Sequence, residues 1–187
     1  QPVYKKQNIM KLFRKILLLV TGITAAALTA AAHGDEFKPA FVDSLVPDYL
    51  AVQTALAGDD LAAAKKAASQ LVATAKHGPE FSAFTTPASS LAKAKDISAA
   101  REQFQAVSME MQDLVDHVGT TGEYALFEAH CPMAFGGKGG DWLQGNQEVA
   151  NPFYGSKMLR CGSIKGQVAG EKPSMAPHGG KHGYSGH

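Results

Sequence analysis

Two cysteines, two methionines and a histidine define the chemistry open to this chain. His130-Cys131-x-Met133 is followed, across a glycine-rich stretch, by Met158-x-x-Cys161. Cys131 and Cys161 are its only cysteines. Each half sets a thiol beside a thioether at a separation of two or three positions. Thiolate and thioether sulfurs select Cu(I) and similar soft ions over hard cations. The glycines and prolines between the halves mark turns rather than a long helix. A loop folding back there would bring Cys131, Met133, Met158 and Cys161 together, with His130 near enough to assist. Two plainer readings stand beside this one. The cysteines could close a disulfide, as paired cysteines in exported proteins often do, and Met133 and Met158 could fill gaps in a core. The first need not exclude metal, because thiols can bind an ion when reduced and pair when oxidised.

Other candidate ligands lie outside this stretch. Met175, His178, His182 and His187 crowd the C-terminus, and a short His-rich tract reads as a metal-capturing tail. His33 would become a chelating N-terminus if a leader were removed after Ala32. Met109, Asp113 and His117 recur at i, i+4 and i+8, one face of a helix, although a solvated face is the plainer reading. His77 suits a helix C-terminal cap.

Several function classes are excluded. Gly136-Gly137-Lys138-Gly139-Gly140 matches neither phosphate-loop pattern, and there is no D-x-D-x-D-G calcium loop. The formal net charge is only +1 and no basic stripe is present, which argues against nucleic acid. No C-x-x-C, Ser/His/Asp or two-carboxylate motif stands out, so a binding protein is expected rather than an enzyme.

These residues need elements to position them. Met10 opens a basic start, Ile16 to Ala32 is apolar or small, and Ala30-Ala31-Ala32 suits cleavage. Residues 10–32 therefore read as a secretory signal peptide. Residues 1–9 are set aside as a non-native or mis-called start. No stable membrane insertion is expected once the leader is cleaved, and the address implied is the periplasm.

Helical periodicity predicts a first helix beginning at or after Pro47 and ending at Gly58, with Asp59 or Asp60 capping the next. It predicts a second helix over Leu61–Lys76. Glu80 to Ser90, rich in Ser, Thr and Pro, reads as a connection with at most a short helical turn. A strong helix runs from Ile97 to Val118, with Ala100, Phe104, Val107, Met111, Leu114 and Val115 in its core stripe. Residues 124–131 could be a short strand or a helix end. The fold expected is mainly α: a small three- to four-helix bundle over 37–166 with an irregular Cys/Met-containing loop, then a disordered tail over 167–187.

The Cys/Met stretch also carries a resemblance. Cys131-Pro132-Met133-Ala134, a Gly/Lys-rich loop, Trp142-Leu143 and then Asn151-Pro152-x-x-Gly155-x-Lys157-Met158-Leu159-x-Cys161-Gly162 resemble the signature of a bacterial periplasmic domain family of unknown function. That family occurs alone in secreted proteins and fused to the adaptor subunits of copper/silver-type heavy-metal efflux pumps. The segments at 49–60 and 104–108 are similar to its helices, so the likeness spans about residues 41–166. It implies an exported helical domain concerned with metal, copper above all. It places Cys131, Met133, Met158 and Cys161 at the matching positions and points to an efflux pump or metallochaperone as partner. The function expected is Cu(I) binding for sequestration or delivery. The alternative is an interaction module without metal, stapled by a Cys131–Cys161 disulfide that stabilises it by roughly 3–4 kcal/mol for a closure of this length.

Overall fold

The computed structural model describes residues 37–170. The leader at 10–32, His33, and the tail residues Met175, His178, His182 and His187 lie outside the described residues.

Among the described residues four helices precede the sheet: α1 (Pro39–Ala57), α2 (Leu61–Ala75), α3 (Ser82–Ala92) and α4 (Ile97–His117). Successive helices pack as neighbours. Two starts are fixed by aspartates. Asp60 accepts a hydrogen bond from the Ala63 N–H at 2.8 Å and Asp96 accepts one from the Ala99 N–H at 2.8 Å. Each satisfies a donor that the first helical turn leaves unpaired.

Two helices depart from the sequence expectation. α1 begins eight residues before Pro47 and runs straight through it. A proline inside a helix removes one backbone hydrogen bond and costs about 3 kcal/mol. The turns ahead of it bury Val42, Leu45 and Val46 completely, and each such side chain returns about 1.5–3 kcal/mol. Pro39 sits at the helix start, where its missing N–H costs nothing. α3 occupies the stretch that composition assigned to a connection. Phe84, Ala88 and Leu91 form its buried stripe. Thr85 and Ser90 hydroxyls turn back onto the carbonyls of Phe81 and Thr86 at 3.0 and 3.1 Å, so residues with low helix propensity are accommodated.

After α4 the chain builds a three-stranded antiparallel sheet of order β2-β1-β3, from β1 (Leu126–Cys131), β2 (Gly140–Gln144) and β3 (Ser163–Ala169). The register pairs Cys131 with Gly140 and His130 with Ser163. The bundle is therefore present, but the segment expected to be an irregular loop contains a sheet. β3 extends to Ala169, so residues 167–169 belong to the sheet and not to a tail. Between β1 and β2 a single irregular helical turn, α5 (Ala134–Gly137), puts Phe135 in the left-handed region at φ 53. No described helix is long and apolar enough to cross a membrane.

β2 is an edge strand, and its outward backbone groups face the helices. The Leu143 N–H donates to the Tyr49 hydroxyl at 3.0 Å, and the Ser108 hydroxyl donates to the Asp141 carbonyl at 3.1 Å. The two hydroxyls meet at 2.8 Å. Because Ser108 spends its proton on the carbonyl, Tyr49 donates to Ser108. Two side chains, from α1 and α4, thus stand in for the missing neighbouring strand. Burial pushes the Tyr49 phenol well above the ordinary tyrosine range, outweighing its hydrogen bonds with Ser108 and Leu143.

Candidate functional site

The sheet and the segment between β2 and β3 bring the two cysteines into contact. Cys131 ends β1 on its inner side, fully buried. Cys161 lies two residues before β3 and is half-buried. Their sulfurs are 3.3 Å apart, and both are free thiols. Hydrogen bonding to Cys131, followed by burial, pushes the Cys161 thiol above its ordinary range.

The position of Cys161 is fixed by a loop that the sequence did not explain. Asn151 is fully buried at its centre. Its amide donates to the Cys161 carbonyl at 2.8 Å, and its side-chain oxygen accepts from the N–H groups of Phe153 and Tyr154 at 2.9 and 3.2 Å. Its own backbone N–H donates to the Leu159 carbonyl at 2.8 Å. Phe153 plugs the loop into the core, meeting Phe135 at 4.9 Å, Trp142 at 5.7 Å and Phe104 at 6.0 Å between ring centroids.

The helices hold the loop from outside. Gln53 on α1 donates to the Ala150 carbonyl at 2.7 Å, and Arg101 on α4 donates to the carbonyls of Pro152 and Leu56, both at 2.8 Å. Arg101 also pairs with Asp59, whose other oxygen accepts the Ser156 N–H at 2.9 Å. Hydrogen bonding from Ser156, then from Arg101, lowers the Asp59 carboxyl to about 2.

Two glycines of the motif are required by this geometry. Gly155 has φ 61, and a β-carbon there would overlap the Asp59 carboxylate and the Arg101 guanidinium. Gly162 has φ 129, and a β-carbon would press on the His130 carbonyl. The pattern N-P-x-x-G…C-G is thus the structural specification of a loop that delivers Cys161 to Cys131. Its partners Gln53, Asp59 and Arg101 lie about 50 to 100 positions away, and no local signal connects them to it.

The other expected ligands are distributed unequally. Met133 and Met158 do not fill core gaps: they are 53% and 38% exposed. Met133 lies on the connection between β1 and β2 and Met158 in the loop between β2 and β3, and the two segments are tied where the Tyr154 hydroxyl donates to the Met133 carbonyl at 2.7 Å. Met158 accepts the Cys161 N–H at 2.9 Å through its backbone carbonyl. His130 precedes Cys131 in β1, and successive strand residues point to opposite faces. It stands on the outer face, Nδ1 2.9 Å from Asp141 Oδ1, and is not brought to the thiol pair. Lys165 joins the same group, at 2.9 Å from both Asp141 and Glu128. Burial works against the Asp141 charge, yet hydrogen bonds from Lys165 and His130 hold its carboxyl below the usual range. Asp113 and His117 pair at 3.0 Å on the exposed face of α4, and Met109 is exposed there too. Among the described residues, no group of three or more His, Cys, Asp or Glu side chains could hold a metal ion.

A family model described as a protein of unknown function (DUF3347) matches residues 45–123. None of the curated proteins and none of the solved structures compared with the chain matches it. The match runs from within α1 to the segment after α4, ending before both cysteines, so it is the helical part of the chain that is similar to this family of unknown function.

Proposed function

We propose that this protein is an exported, periplasmic binder of soft metal, with Cu(I) as its cargo, acting in sequestration or delivery alongside a metal-efflux pump or metallochaperone. The observation that carries the reading is the contact at 3.3 Å between two free thiols, with the exposed Met133 two residues after Cys131 and the exposed Met158 three residues before Cys161. The donors are sulfur alone, which suits a soft ion better than a hard cation. The fit is close. Two thiolates on one ion at ~2.3 Å with a tetrahedral angle stand about 3.8 Å apart, so the pair would open by about half an ångström. Cys131 and Cys161 would supply the charged ligands, and Met133 and Met158 the neutral ones on the solvent side. His178 and His182 would capture the ion from solution. Binding must displace thiol protons, so affinity rises with pH.

The test is titration of the reduced full chain with Cu(I) against a chromophoric chelator. Stoichiometric binding abolished by Cys131→Ser with Cys161→Ser, and only weakened by His178→Ala with His182→Ala, supports the reading. Binding lost in the histidine variant alone would move the site to the tail. No binding in any form would favour the disulfide-stapled interaction module.

A further inference from the structure

The two sulfurs are close but unequally accessible. Cys131 is fully buried at the end of a central strand, whereas Cys161 is half-buried at the end of the anchored loop. They are 30 positions apart in sequence, yet in contact at 3.3 Å. A disulfide requires about 2.05 Å, so closure asks for a movement of about 1.2 Å. The backbone on both sides is already fixed, by the β1 ladder around Cys131 and by the Asn151 amide on the Cys161 carbonyl. Cys131 is closed to a reagent from solution while Cys161 is partly exposed, so Cys131 is positioned to resolve what forms on Cys161.

We propose that Cys131 and Cys161 are a directional thiol–disulfide exchange pair, with Cys161 the attacking sulfur and Cys131 the resolving one, and that oxidation by an external disulfide switches the metal site off. In the first step the Cys161 thiolate attacks a disulfide of the glutathione class. One sulfur of the incoming disulfide joins Cys161 and the other leaves as a thiolate. In the second step Cys131 attacks the Cys161 sulfur and expels the second thiolate, which takes up the Cys131 proton as it leaves. The two protein thiols lose two electrons, the incoming disulfide gains them, and two small thiols leave. Excess small thiol drives the same sequence backwards. The exchange is stoichiometric and stands on the geometry alone; the loss of metal binding rests on the proposed function.

The experiment incubates the reduced full chain with oxidised glutathione and reads products by intact-mass spectrometry and peptide mapping. The wild-type chain should form the Cys131–Cys161 bond without accumulating an adduct. Cys131→Ser should trap glutathione on Cys161. Cys161→Ser should leave Cys131 unmodified until denaturant is added. A stable adduct on the wild-type chain, or equal modification of Cys131 in the folded Cys161→Ser chain, overturns the proposal. Circular dichroism of both variants confirms that they are folded, and peptide mapping of each product locates the modified position.

A second arm titrates the oxidised and reduced chains with Cu(I). Binding by the reduced chain and its loss of at least tenfold on oxidation support the switch. Equal binding by both overturns the switch while leaving the exchange result intact. Failure of the reduced chain to bind overturns the switch and the metal reading together, with the exchange result still judged by the first arm.

Discussion

Asn151→Ala should be among the most damaging single substitutions in the chain, and its cost follows from the groups it strands. Asn151 is fully buried and makes three side-chain hydrogen bonds, to the Cys161 carbonyl and from the Phe153 and Tyr154 N–H groups. A buried polar group left without a partner costs about 1–3 kcal/mol. Phe153 is buried and Tyr154 half-buried, so its N–H can recover part of the loss through water. Taken with non-additivity among neighbours, the total should be about 3 kcal/mol, a large share of the ~5–15 kcal/mol that holds a typical domain together. Urea denaturation followed by Trp142 fluorescence should show the midpoint falling at an unchanged slope, since the surface exposed on unfolding stays the same. Asn151→Asp separates packing from hydrogen bonding. It keeps both acceptor contacts but turns a donor into an oxygen facing the Cys161 carbonyl, so it too should destabilise. Both variants should release Cys161 from Cys131 and make the buried thiol reactive to a thiol reagent in the folded state. A loss below about 1 kcal/mol, or thiol reactivity unchanged in both variants, would refute the role given to Asn151.

Further predictions follow from the same contacts. Gly155→Ala should destabilise by more than the ~1–2 kcal/mol of a left-handed alanine, because its β-carbon displaces the Arg101–Asp59 pair; urea denaturation measures it. Tyr49→Phe should cost about 1–2 kcal/mol, since the Leu143 N–H loses its acceptor, and hydrogen exchange at the Leu143 amide should accelerate. Asp59 titrates at about 2 in the folded chain, below its ordinary 3.8. A lowered folded value means its contribution is complete above the unfolded value and is lost as pH falls from about 4 towards 2. Acid titration of Asp59→Asn should therefore show a shallower loss of stability in that window.

How much of this was legible in the sequence depends on the range of the interactions. α2 and α4 could be read because their determinants are local: Asp60 and Asp96 cap them, and the stripe from Ala100 to Val115 repeats at helical spacing. The start of α1 could not, because the penalty at Pro47 is visible in the sequence whereas the burial of Val42, Leu45 and Val46 that outweighs it is tertiary. α3 was obscured by its serines, threonines and Pro87, although Phe84, Ala88 and Leu91 carried a weak helical spacing. Of the sheet only β1 was offered, as one of two readings of residues 124–131; β2 and β3 escaped because the strands span 5 to 7 residues and the pairing of β3 is broken by two register shifts. Its edge is completed by Tyr49 and Ser108, which no strand pattern includes.

The meeting of Cys131 and Cys161 was anticipated from soft-ligand spacing and the turn residues between them. The reason for it was not: Asn151 and Gly155 read as turn punctuation until Gln53, Asp59 and Arg101 are placed around them. Met133 and Met158 have the same composition signal in a core or on a surface, and only their exposure separates the two. His130 looked like a partner for Cys131 because it is adjacent in sequence, and adjacency in a strand is what points it the other way.

X-ray absorption at the copper edge of the reduced, Cu(I)-loaded full chain would test the central claim most directly. The account predicts a first shell of sulfur alone, abolished when Cys131 and Cys161 are both replaced by serine and unchanged when His178 and His182 are replaced by alanine. A first shell dominated by nitrogen, or one that survives loss of both cysteines, would contradict it.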